Sequence, residues 1–109
     1  MTEQENKKLL MTLVLCFKAG YAICGTDLIC DALKNAKKPP ILVLEASDTS
    51  ENTHKRISDR CTFYNTEHIR LDVSSSDLGA AFGKKSLIAA VGITDMGFCR
   101  SIKTKLNLN

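Results

Sequence analysis

Two short runs of apolar residues, 41–44 and 87–93, constrain this chain more than any other feature. Neither is interrupted by a polar side chain. Each therefore reads as a strand covered on both faces, not as a half-exposed strand with alternating polarity. A strand buried on both faces needs a helical layer on each side of its sheet. The segments around the two runs supply those layers.

Leu9, Leu10, Leu13, Val14 and Phe17 recur at helical spacing and predict a first helix over about residues 4–18, stopped by Gly20. Residues 21–24 follow as a short strand. Thr26 suits an N-cap and Asp27 a first turn, and Leu28, Ile29, Ala32, Leu33 and Ala36 mark the buried stripe of a second helix. Lys37 and Lys38 favour its C-terminal end, and Pro39 and Pro40 prevent it from continuing. Ser50 is positioned to cap a third helix in which Ile57, Cys61 and Tyr64 share one face. Ile69, Leu71 and Val73 alternate with Arg70 and Asp72, as in an edge strand. Residues 74–77 cap a short fourth helix carrying Leu78, Ala81 and Phe82, and Gly83, Lys84 and Lys85 form a basic turn. Asp95 opens a last helix with Phe98, Ile102 and Leu106 inward. The order is α-β-α-β-α-β-α-β-α, without repeat, linker or low-complexity tract. One α/β domain over residues 1–109 is expected, with loose ends at residues 1–5 and 103–109.

Composition narrows the functional classes. The 109 residues are 44% hydrophobic, enough for a core without staples. Lys and Arg number 15 against 12 Asp and Glu, a formal net charge of +3 that permits a nucleic-acid partner without demanding one. The cysteines, Cys16, Cys24, Cys30, Cys61 and Cys99, are odd in number and contain no Cys-x-x-Cys pair. They read as reduced core residues of a cytoplasmic protein, not as a zinc site or disulfide framework. The apolar stretch 9–17 is too short to span a bilayer and lacks the basic start of a signal peptide, so no membrane role is expected.

Catalytic patterns are absent. His54, beside Lys55 and Arg56, reads as a solvated helix residue, and His68 leads into an edge strand; neither has a nucleophile in an elbow context. Asp27 and Asp31, one helical turn apart, suit the helix dipole better than a cation. The glycines do not form a phosphate-binding motif. No catalytic residue, metal site, cofactor or small-molecule substrate is expected, and the chain does not read as an enzyme.

Four segments carry a resemblance: residues 19–33 (AGYAICGTDLICDAL), 42–53 (LVLEASDTSENT), 77–83 (DLGAAFG) and 90–98 (AVGITDMGF). In this order and spacing they resemble the L-seven-Ae/L-thirty-e ribosomal protein family, most closely its small bacterial YlxQ-type members. The resemblance spans about residues 9–102. It implies a three-layer α/β/α sandwich around a mixed four-stranded sheet, and a ribosome-associated protein that binds structured RNA, a kink-turn or a related loop, in a ribonucleoprotein. It places Gly25, Thr26 and Asp27 at the RNA, as the glycine-led start of the second helix. It adds the loop before the last strand, with Lys84 and Lys85 on phosphates and Leu87 or Ile88 over an extruded base; Lys34 would assist. Ribosomal RNA is the expected partner. Asp27, Leu28 and Asp31 stand where many kink-turn binders carry Asn, Glu and Lys. A protein-interaction module of the same fold that has lost kink-turn binding is the alternative.

Overall fold

A computed structural model describes residues 2–107. Five helices and four strands alternate: α1 (Glu3–Lys18), β1 (Ala22–Cys24), α2 (Thr26–Asn35), β2 (Leu42–Glu45), α3 (Glu51–Phe63), β3 (Glu67–Arg70), α4 (Ser75–Ala81), β4 (Ala90–Ile93) and α5 (Met96–Lys105). The strands form one sheet in the order β1-β4-β2-β3. β4 lies antiparallel to β1 and β2, and β2 lies parallel to β3, so the sheet is mixed. The two inner strands, β2 and β4, are buried at every position; β4 is apolar throughout, whereas β2 follows the apolar run from Leu42 and ends on the buried Glu45.

Each face of the sheet carries its own core. Leu42, Leu44, Val91 and Ile93 pack with Leu9, Leu13 and Cys16 of α1, Leu78 of α4 and Cys99 and Ile102 of α5. On the other face Val43 and Ala90 pack with Ile29 and Leu33 of α2 and Ile57 and Cys61 of α3. The result is an α/β/α sandwich with α1, α4 and α5 on one side and α2 and α3 on the other. Burial pushes the Cys16 thiol up to about 12, and those of Cys61 and Cys99 up to about 11. Such thiols are inert core groups.

Several boundaries depart from the sequence reading. β4 begins at Ala90, three residues later than the apolar run, because the preceding backbone is committed elsewhere: the Ile88 amide donates to Ser75 O (3.1 Å), and Ala89 O accepts from the Ala46 amide (2.8 Å). Leu87 is 69% exposed, not buried. β3 ends at Arg70; Leu71 and Val73 enter the core from an irregular segment tied by Leu71 N–H to Glu45 O and Ser47 N–H to Val73 O. Neither terminal segment is loose over its whole predicted length. Thr2 and Glu5 close a reciprocal capping box at the start of α1, and α5 continues through Lys105. Met1, Leu108 and Asn109 lie outside the described residues.

Candidate nucleic-acid interface

The start of α2 differs from that of every other helix described. Thr2, Ser50, Ser74 and Asp95 each accept a backbone N–H with their side chains at the starts of α1, α3, α4 and α5. At α2 the cap is Gly25, with no side-chain hydrogen bond. Thr26, read from sequence as the cap, is instead the first helical residue. Gly25 takes φ +107° and ψ 140°, a conformation that L side chains rarely adopt, so the chain can enter the helix directly from β1. The first-turn amides are left without a side-chain acceptor and carry the positive end of the helix dipole.

The lysine-bearing turn leads into the strand that is bonded to this helix start. The Gly25 amide donates to Ala90 O (3.0 Å), and Cys24 pairs with Val91 across β1 and β4. The segment 84–89 runs directly into that junction. Lys84 Nζ lies 6.0 Å from the centroid of the Phe17 ring. Burial raises the Cys24 thiol, and the nearby Lys84 ammonium offsets only part of that rise. Gly79 of α4 sets how closely the turn can pack: a Cβ there would run into the Ser86 carbonyl. Lys84 N–H donates to Gly79 O (2.9 Å) and fixes the turn against α4.

The sequence-predicted residues fall into three groups. Gly25, Thr26, Asp27, Lys84, Lys85 and Leu87 belong to the helix start or the turn, and all but Gly25 and Thr26 are exposed. Ile88 is 4% exposed and packs into the core, so of the apolar pair only Leu87 presents surface. Lys34 sits in the last turn of α2, eight residues from Thr26 and so about 12 Å along the helix axis. It flanks α2 instead of joining the junction. Asp27 is 87% exposed at its side chain and is held by Arg56 of α3 through a 2.6 Å Nη1–Oδ1 pair. Asp31, the next acid along the helix, accepts from Asn35 Nδ2 (2.8 Å). Each aspartate therefore has its own protein partner, and no cation is needed to reconcile them.

A second cluster was not anticipated from the sequence. Glu45, at the C-terminal end of β2, has a fully buried side chain. His54 Nδ1 of α3 and His68 Nε2 of β3 reach its Oε1 at 2.8 and 2.7 Å. Thr49 Oγ1 donates to its Oε2, and Arg70 Nε lies 3.8 Å from Oε2. Burial pushes the Glu45 carboxyl up, but the hydrogen bonds from Thr49, His54 and His68 together outweigh it and hold the group below its ordinary range. His54 is thus not the solvated helix residue expected among cations; its ring edge is committed to a buried carboxylate. The available signal was a glutamate closing an apolar buried run, with a histidine nine residues on.

No family model matches the chain. RNA-binding protein YlxQ of Bacillus subtilis (strain 168) is 30% identical over 90 residues, covering 83% of this chain and 86% of its own length. RNA-binding protein YlxQ of Enterococcus faecium is 30% identical over 103 residues, covering 94% and 95%. The chain belongs to the L-seven-Ae/L-thirty-e family, alongside its YlxQ-type members. Solved structures agree on the fold. A protein of unknown function from Bacillus halodurans superposes with a TM-score of 0.79 at 27% identity, covering 92% of this chain and 97% of its own. The Giardia lamblia 15.5kD RNA binding protein superposes with a TM-score of 0.72 at 14% identity, covering 98% and 88%.

Proposed function

We propose that this protein binds structured RNA at the junction of the α2 start and the 84–88 turn, as a kink-turn or a closely related bent loop. The observation that carries this reading is the Gly25–Ala90 hydrogen bond, which ties an uncapped helix start to the strand that a turn with two exposed lysines leads into. Free first-turn amides and the helix dipole suit a phosphate. Gly25 has open space where a Cβ would stand, so a backbone can approach it closely. Lys84 and Lys85 neutralise flanking phosphates, and Leu87 offers an apolar surface for a splayed base. Asp27, oriented by Arg56, keeps acceptor capacity for a base amino or imino group. Two YlxQ relatives named as RNA-binding proteins support the partner class. We extend the reading to ribosomal RNA in a cytoplasmic ribonucleoprotein, with no chemistry performed by this chain.

Electrophoretic shift with a kink-turn RNA and a straight duplex of equal length tests the reading. The kink-turn is expected to bind at least about tenfold more tightly. Equal affinity for both, or none for either at low salt, contradicts specific recognition. The aspartates at positions 27 and 31 motivate the alternative, a module of the same fold that binds protein in place of RNA. An open apolar groove of about 400 Å³ between α1 and α4, lined by Leu10, Met11, Val14, Leu15 and Ala81, is the surface such a module would use.

A further inference from the structure

We propose that Glu45, His54 and His68 form a binding site for a divalent first-row transition ion of the Zn²⁺ class. Two imidazole nitrogens and a carboxylate oxygen converge there, and the ligating atoms all lie within 4.8 Å of one another. Two histidines and one carboxylate make a three-donor set that holds Zn²⁺ with a fourth position left to water. Both imidazoles approach the same atom, Glu45 Oε1, at 2.8 and 2.7 Å. As hydrogen bonds these contacts require each ring to carry its proton on the nitrogen facing Glu45. If each proton moves to the ring's other nitrogen, both lone pairs face the carboxylate. A cation then takes the place of two protons without charging either ring.

The framework favours convergence. His68 and Arg70 lie opposite Val43 and Glu45 in the parallel β2–β3 register, which puts Glu45 and His68 on one face of the sheet. His54 descends onto that face from the first turns of α3, whose start is fixed by the Ser50 cap. The site is thus built on two paired strands and a capped helix, not on a loop. Its carboxylate is fully buried, while the His54 side chain is 43% exposed and leaves a route from solvent. Arg70 is the opposing charge. Its guanidinium, 3.8 Å from Glu45 Oε2, also donates to Ala46 O and Thr49, so it balances the carboxylate and limits how tightly a cation is held. Two nitrogen donors select Zn²⁺, Ni²⁺, Co²⁺ or Cu²⁺ over Mg²⁺ and Ca²⁺, which prefer all-oxygen shells.

The test uses the full chain, stripped with chelator and titrated with Zn²⁺ or Mg²⁺ in the absence of RNA. Calorimetry is expected to give one Zn²⁺ per chain. Zn²⁺ at about a hundred times its Kd is expected to raise the melting temperature by about 10 °C, with no rise for Mg²⁺. His54→Gln and His68→Gln are each expected to weaken Zn²⁺ at least about tenfold and to abolish the thermal shift. Both rings are partly exposed, and far-ultraviolet circular dichroism establishes that each variant is folded. Co²⁺ is expected to bind without a thiolate charge-transfer band, which separates this site from Cys24. Failure of the wild-type chain to bind Zn²⁺, or Zn²⁺ binding that survives both histidine substitutions, overturns the proposal.

Discussion

The starts of α2 and α3 are joined by the Asp27–Arg56 pair yet are finished in opposite ways. α3 is closed: Ser50 accepts the Thr53 amide, and the first turns descend onto a buried carboxylate that is hydrogen-bonded on both oxygens. α2 is open: its cap is a glycine at positive φ, and no side chain occupies its first amides. A glycine cap in place of a side-chain acceptor forgoes only roughly a few tenths of a kcal/mol of capping stabilisation. The difference separates a region whose polar groups are satisfied within the chain from one whose first amides have no side-chain acceptor.

Breaking the closed side should give the largest effect. Glu45→Ala removes the acceptor for two imidazoles and a hydroxyl and leaves Arg70 facing a cavity. A loss of about 3 kcal/mol is expected, read as a fall of about 15 °C in the melting temperature. A fall of only a few degrees would show that the cluster is relaxed into water and does not tie α3 to the sheet. On the open side the double substitution Lys84→Ala, Lys85→Ala should leave the melt unchanged. It should weaken RNA binding about tenfold and make the slope of log K against log salt shallower by about 1.5. An unchanged slope would remove both lysines from the phosphate contacts.

Much of this comparison was legible in the sequence, though unevenly. The unbroken runs marked β2 and β4, because inner strands sandwiched by helices have no polar face to alternate with. Ser50, Ser74 and Asp95 announced three helix starts, since a short side chain that accepts an amide is a local signal. Thr26 misled for the same reason: it is a competent cap, but the glycine before it already turns the chain by taking a positive φ. The ends of β3 and β4 were misplaced because Leu71, Val73 and Ile88 are buried outside the ladder, and periodicity reports burial, not hydrogen bonding. The Glu45 cluster was hidden because His54 and His68 lie 9 and 23 residues from Glu45 and reach it only once α3 packs over the parallel β2–β3 pair. The junction of the α2 start with the lysine turn was anticipated only through family resemblance, since 65 residues separate Gly25 from Ala90.

Two smaller perturbations sharpen the contrast. Ser50→Ala should cost about 1 kcal/mol in urea unfolding and leave RNA affinity untouched, because the cap serves α3 alone. A matching loss of RNA affinity would mean that the closed start also shapes the interface. The smallest effect is expected in the acid limb. The Ser75 backbone amide and hydroxyl hold the Asp48 carboxyl below its usual range, as the Glu45 cluster does for its own. A carboxyl depressed on folding stabilises the protein fully above its unfolded value, about 4. That contribution is lost as pH falls through the lower folded value. The urea midpoint should therefore be level near neutrality and drop below about pH 4, with a shallower drop in Asp48→Asn. An identical acid limb in that variant would place the pH dependence elsewhere.

Amide chemical-shift mapping with kink-turn RNA tests the open helix start most directly. The largest changes are expected at Gly25, Thr26, Asp27, Lys84, Lys85 and Leu87, with the α1–α4 groove unaffected. Changes confined to Met11, Leu15 and Ala81, with Gly25 and Lys84 silent, would contradict the account.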